Sequence, residues 1–274
     1  MSGFVFFKFA PSPSLSPFVE CLWGVRGSAH YHVESVLPNG AMELMVNFGP
    51  RPRVVAYGER AANDEFRRAW IAGIQDQRLV HAAPEGSNHL AVRFRAGGAH
   101  AFFDLPMDEL TNRVVELDGV VGHRTTDELW TRLCEVDGDE SRCRSVERWL
   151  LQRRRAVHPY FATVRKALDL LRVSAHGTPV GEVCARLGLS NRHLIKQFRT
   201  TVGLTPKSYG RIARFRHAIE VCRGIDDVPW AAVAAGCGYA DQSHLIREFR
   251  RLGMVTPEEF IARRTPDQSH VVGD

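Results

Sequence analysis

The feature that most restricts what this chain can fold into is a seven-residue string that occurs twice. Residues 193–199 read HLIKQFR and residues 244–250 read HLIREFR, so every position is identical or closely substituted. The surroundings recur as well. Ala185-Arg186-Leu187-Gly188-Leu189-Ser190 precedes the first copy, and Ala235-Gly236-Cys237-Gly238-Tyr239-Ala240-Asp241 precedes the second. Gly203, Thr205-Pro206 and Tyr209 follow the first copy; Gly253, Thr256-Pro257 and Phe260 follow the second. Two copies, about 50 residues apart, are too few for a solenoid and read as one supersecondary unit used twice.

Each copy carries the signals of two helices joined by a sharp turn. In the first, Thr178-Pro179 supplies a capping residue and a proline at the first helical position. Val180, Val183, Cys184 and Leu187 then form one apolar face. Gly188 permits the turn, Leu189 fills the angle between the helices, and Ser190 caps the second helix. Leu194 and Phe198, four residues apart, point inward together, which leaves Asn191, Arg192, Ile195, Lys196 and Arg199 facing outward. Gly203 ends this helix and Thr205-Pro206 opens a longer one, from about Lys207 to Arg223, built on Tyr209, Ile212, Ala213, Ala218, Ile219 and Cys222. Asp226-Asp227-Val228-Pro229 breaks it. In the second copy Trp230, Val233 and Ala234 support, Asp241 caps, and Leu245 and Phe249 point inward. Gln242, Ser243, Ile246, Arg247 and Arg250 face outward. A plain helical bundle would explain the helices, but not cations and amides in the same outward places both times.

Charge divides the chain at the same place. Of 274 residues, 159–274 hold 17 Lys and Arg against 11 acids, whereas 1–158 hold 19 against 20. A basic segment beside a near-neutral one suggests a polyanion-binding part and a part with another task. No apolar run is long enough to span a membrane, and Met1–Ala10 reads as a first β-strand rather than a signal peptide. Cys21, Cys134, Cys143, Cys184, Cys222 and Cys237 form no Cys-x-x-Cys pair, so reduced, mostly buried thiols in a cytoplasmic protein are expected.

The first segment reads as mixed and mainly β. Pro38-Asn39-Gly40 and the run from Pro84 to Asn88 are turns. Leu44-Met45-Val46-Asn47-Phe48 and Leu90–Arg95 are strands, and Gly97-Gly98 ends the second. Helical patterns follow around Asp108–Arg113, Thr126–Glu135 and Ser145–Leu151. The run Arg153-Arg154-Arg155 with His158-Pro159 marks a boundary; three arginines read first as a solvated face, with a phosphate contact as the other option. The fold class expected is α+β, in three parts. A mainly β, cupin-like domain for sensing or association spans 1–155, a double helix-turn-helix domain spans 156–264, and a loose tail spans 265–274.

The second segment resembles the AraC/XylS family of transcription regulators. The tract from Gly238 to Arg251 and the ending Thr256-Pro257-Glu258-Glu259-Phe260 are similar to that family's signature, over about residues 160–264. Two places depart from it: the glycine after the second recognition helix, Gly253, stands further from Thr256-Pro257 than is usual, and Ile195 occupies an outward place that is often polar. Pro11–Trp23, Leu37–Gly40 and Arg93–Gly98 resemble an uncharacterised domain found in front of such pairs, which in relatives senses an effector or mediates association. The resemblance implies a bacterial, sequence-specific DNA-binding regulator whose partners are duplex DNA and, left open, a small-molecule effector, RNA polymerase and a second copy of the chain. No cofactor and no enzymatic activity are expected.

Two recognition helices entering successive major grooves need centres about 34 Å apart, held by the long helix between them. Base contacts are assigned to Asn191, Arg192, Ile195 and Lys196, and to Gln242, Ser243, Ile246 and Arg247. Arg and Lys pair with guanine, Gln with adenine, and Ile touches a thymine methyl. Arg199, Lys207, Arg211, Arg214 and Arg250 are assigned to phosphates. His193 and His244 adjoin the inward leucines and fit either packing or DNA. The alternative is a bifunctional protein whose first segment is a metal-binding cupin-like or other catalytic module. His30 and His32 share one strand face, and Pro84-x-Gly86-x-x-His89 is similar to a cupin metal motif, although Glu34 and Arg93 depart from it. A DNA-repair methyltransferase would need an activated cysteine, and Cys21 has no nearby basic activator. Trp23, Phe48, Phe94 and Phe102 line a pocket or fill the β core.

Overall fold

The computed structural model describes residues 4–28, 33–82, 84–156, 158–173, 178–264 and 270–272. The first segment, joined by one strand from the tail, forms two facing antiparallel sheets. One holds six strands in the order β1 (Val5–Phe9), β2 (Val19–Gly27), β9 (Ser87–Phe94), β4 (Glu43–Asn47), β7 (Ala69–Ala72) and β10 (Val114–Glu116). The other runs β11 (His270–Val272), β3 (Val33–Val36), β8 (Leu79–Ala82), β5 (Arg53–Tyr57) and β6 (Arg60–Glu65). Three helices follow: α1 (Asp118–Val121), α2 (His123–Cys134) and α3 (Asp139–Arg153). The helix expected around Asp108–Arg113 is a 3-10 turn at Met107–Leu110, and a second such turn spans Ala99–Ala101.

Pleating sorts the six-stranded sheet into two faces, since successive side chains point opposite ways. Leu22, Leu44, Val46, Ile71, Leu90 and Val92 join Leu129 and Trp149 in one core. The alternate positions Met45, Trp70 and Ala91 meet Val54, Tyr57 and Leu79 of the second sheet. With both faces covered, the centres of β4 (Leu44-Met45-Val46) and β9 (Leu90-Ala91-Val92) are apolar at three successive positions instead of alternating. Of the aromatics in doubt, Phe94 and Phe102 are wholly buried core, Phe48 packs at its margin beneath Arg142, and Trp23 lines the space between the sheets.

Among the described residues the second segment holds seven helices: α4 (Phe161–Val173), α5 (Val180–Leu187), α6 (Asn191–Val202), α7 (Pro206–Val221), α8 (Trp230–Gly236), α9 (Gln242–Gly253) and α10 (Pro257–Arg263). The buried core of the β segment continues into them through Val164, Leu194, Tyr209, Ile212, Phe215 and Phe249. Phe215, absent from the apolar positions assigned to the long helix, is fully buried against Phe249, with ring centroids 4.9 Å apart.

Two expectations are corrected here. Residues 270–272 of the tail form β11, antiparallel to β3, with Val271 buried; the backbone groups of an edge strand take a partner that the tail's sparse apolar content did not announce. The helix at Thr178-Pro179 begins one residue later than expected, with Pro179 in the cap position and the Thr178 hydroxyl donating to the Leu170 carbonyl at 2.9 Å.

Candidate nucleic-acid interface

Local chemistry builds the two helix pairs in the same way. Gly188 closes α5 in the left-handed conformation at φ 64°. The Ser190 hydroxyl then accepts from the His193 backbone N–H at 3.2 Å, and the Asp241 carboxylate accepts from the His244 N–H at 2.6 Å. Each satisfies one orphan donor at a helix start. The Thr205 and Thr256 hydroxyls repeat the device one helix on, at 3.1 Å in both, and Glu259 completes a capping box with Thr256. Leu194, Phe198, Leu245 and Phe249 are fully buried, as their spacing required.

The opposite faces are open. On α6, Asn191, Arg192, Lys196 and Arg199 are exposed and Ile195 is half-buried. On α9, Gln242, Ser243, Arg247 and Arg250 are exposed and Ile246 is half-buried. Lys207 is exposed at the start of α7. Among the described residues Arg192, Lys196, Arg199, Lys207, Arg247 and Arg250 make no ion pair within the chain. His193 lies exposed, whereas His244 packs edge-on against Tyr239 and accepts the Ala240 N–H at 3.3 Å.

Two of the assigned phosphate contacts are engaged elsewhere. Arg211 grips Glu248 of α9 with two hydrogen bonds, one of 3.1 Å from Nε, and both side chains are largely buried. Arg214 donates to the Gly238 carbonyl at 3.0 Å and lies 5.5 Å from the Tyr239 ring centroid, in a site dry enough to push the Tyr239 hydroxyl well above the ordinary tyrosine range. These cations lock α7 to the second helix pair. Position 248, a charged residue in the outward-looking string, is a buried anion, and its counterpart Gln197 is buried too. In the arginine run at the boundary, Arg153 covers Trp149, Arg155 pairs with Asp104 at the surface, and Arg154 is exposed.

The recognition helices also end on the β segment, which no sequence pattern signalled. The Thr111 hydroxyl donates to the carbonyl of Gly203, the residue that closes α6, at 2.6 Å. A Cβ placed on Gly203 would lie 2.8 Å from Ile74 Cγ2, and one on Gly253, at the end of α9, would lie 3.2 Å from Leu37 Cδ2. Gly40, at φ 75°, faces Tyr209 and Ile212 of α7.

Leu37 lines a cavity of about 410 Å³ between the two sheets, and Gly73 and Gln75, either side of Ile74, line it too. Small-molecule sites have this scale. Its wall is mostly apolar, with Trp23, Met45, Phe66 and Trp70 prominent, and the exposed Phe4 and Phe6 stand at its margin. His89 lines it, edge-on to Trp23 with ring centroids 5.5 Å apart. His30 and His32, the other metal candidates, lie outside the described residues; no group of three or more potential ligands assembles among the described ones. Burial raises the Cys21 thiol above its ordinary range, which disfavours the reactive thiolate.

Residues 163–263 match a family model described as a helix-turn-helix domain, and residues 7–116 match one described as a domain of unknown function, DUF6597. No protein of curated function matches the chain. Among solved structures, ToxT from Vibrio cholerae O395 bound to (E)-4-(8-methylnaphthalen-1-yl)but-3-enoic acid is 10% identical, over 95% of this chain and 98% of that one, with a TM-score of 0.50. Unsaturated-fatty-acid-bound wild-type ToxT from Vibrio cholerae strain SCE256 is 9% identical, over 95% of each chain, with a TM-score of 0.49. A probable AraC family transcriptional regulator from Rhodopseudomonas palustris CGA009 is 23% identical, over 37% of this chain and 96% of that one, with a TM-score of 0.33.

Proposed function

We infer, from the premise that residues 163–263 are an AraC-type helix-turn-helix domain set behind a DUF6597 domain, that this DNA-binding transcription regulator reads a specific operator with two helices at once. The observation that carries this reading is the matched pair of capped helices, α6 and α9, whose outward cations have no partner within the described chain. A free guanidinium or ammonium on such a face is suited to guanine edges or phosphates. Asn191, Arg192, Ile195 and Lys196 read one major groove; Gln242, Ser243, Ile246 and Arg247 read the next. Arg199, Lys207 and Arg250 hold phosphates, while Arg211 and Arg214 are left out of the interface because they bind the protein.

The first segment, 1–155, serves as the sensor. The support is the cavity between its sheets, whose lining loops touch the ends of both recognition helices.

The test is selection of bound sequences from random duplexes by the full chain. The expected product is a bipartite motif with half-sites about 10 base pairs apart. Arg247→Ala should cost about 1–3 kcal/mol and relax preference at one base pair. Recovery of no motif, or a motif indifferent to Arg192→Ala and Arg247→Ala alike, would refute the reading.

A further inference from the structure

Both arginines on the wall of the β cavity are held by carboxylates before any ligand arrives. Among the described lining residues the charged groups are Glu34, Glu43, Arg53 and Arg93, with His81 and His89 beside them. Arg93 Nε donates to Glu43 Oε1 at 2.6 Å, and the Trp23 indole N–H donates to the same oxygen at 3.3 Å. The Arg93 guanidinium also lies 5.8 Å from the Trp23 ring centroid. Arg53 pairs with Glu65 at 2.8 Å, and Glu34 lies 3.3 Å from His81 Nε2. An anionic ligand therefore finds its best cation already held by a carboxylate. It would have to displace Glu43 or sit desolvated beside it, and a cationic ligand meets the same difficulty at Arg93.

A buried amide beside the cavity is closed off from it. Gln75 is more than nine-tenths buried and its Oε1 has no hydrogen-bond partner. Its Nε2 donates to the Gly73 carbonyl at 2.8 Å, which fixes the orientation of the amide and leaves the oxygen as an acceptor without a donor. That oxygen has almost no accessible surface, so a ligand in the cavity does not reach it, and the amide adds no hydrogen bond to binding. The rest of the wall offers aromatic faces, Trp23, Phe66 and Trp70 among them.

We propose that the cavity takes an uncharged, mainly aromatic molecule, and discriminates against carboxylates of the same shape because Glu43 occupies Arg93. This rests on the sensor reading above, and the two can fail separately. The probes are 2-naphthol and 2-naphthoate, which share a ring system but are respectively neutral and anionic at pH 7, titrated into the full chain by calorimetry and ligand-observed NMR. The expected result is 2-naphthol bound about tenfold or more tightly than 2-naphthoate. Glu43→Gln keeps the side-chain shape and frees Arg93, so it should strengthen 2-naphthoate binding about tenfold. Ala72→Phe, which places a ring into the lining, should abolish 2-naphthol binding in a chain that still melts cooperatively and still binds DNA. If the parent protein prefers 2-naphthoate or treats the probes alike, the charge argument is wrong and the sensor reading stands. If neither probe binds, or Ala72→Phe binds 2-naphthol unchanged, the cavity is not the ligand site and both ideas fall.

Discussion

Arg211→Ala separates two roles that the sequence assigns alike. On the helix surface Arg211 looks like a phosphate contact, yet its guanidinium holds Glu248 with two hydrogen bonds, and the exposed fractions of the two side chains are 21% and 10%. Removing the arginine strands a carboxylate between α7 and α9. Breaking a fully buried pair costs about 3–5 kcal/mol. Here the arginine's partial exposure admits water, so about 2–3 kcal/mol is the fairer figure. For a chain of this size that lowers the melting temperature by about 5–10 °C. Glu248→Gln, which copies Gln197 of the first unit, should restore most of the loss when combined with Arg211→Ala. Circular-dichroism melts give the stability. The dependence of DNA affinity on salt, measured well below the melting point, gives the phosphate count, because each phosphate neutralised contributes about 0.9 to the log–log slope. The expected outcome is a large drop in melting temperature with an unchanged slope. A melting temperature within about 2 °C of the parent, with a slope reduced by about 1, would show that the arginine serves DNA and that the reasoning is wrong.

Arg250→Ala should behave oppositely, leaving the melt unchanged and lowering the salt slope by about 1 in the same titration. Met254 adopts the left-handed conformation, φ 55°, that Gly203 takes in the first unit, so Met254→Gly should stabilise the chain by about 0.5–1 kcal/mol in a denaturant titration. Gly203→Ala should cost about 2–4 kcal/mol, since the new Cβ meets Ile74, Thr111 and the Met107 carbonyl at 2.8–3.0 Å. Gly188→Ala, with open space around the Cβ at a similar φ, should cost only about 1 kcal/mol. His100 is held below the ordinary histidine range, chiefly by burial and next by His158, whose ring lies 5.2 Å away. The unfolded chain therefore binds the proton more readily, so stability is present above about pH 6.5 and is lost as the pH falls below it. Melts of His100→Asn between about pH 5 and 7 should show a shallower acid slope than the parent, and an unchanged slope would remove His100 as the cause.

What the chain states on its own about this protein is everything decided within a few residues. Ser190, Thr205, Asp241 and Thr256 cap because a short polar side chain can reach an N–H two or three residues on, and Leu194/Phe198 and Leu245/Phe249 face inward because four residues make about one turn. The duplication makes these weak local signals mutually supporting, so the helix pairs and their outward faces were legible before any coordinates. Partners distant in sequence were not. Whether an arginine on α7 meets a phosphate or Glu248, 37 residues away, depends on helix packing that no local pattern encodes. The same holds for β11 joining β3 and for Thr111 reaching Gly203. It holds too for the cavity, whose wall gathers residues from Phe4 to Val114. Those features exist only once the two sheets close and the helices dock, because burial and charge pairing are properties of assembled surfaces.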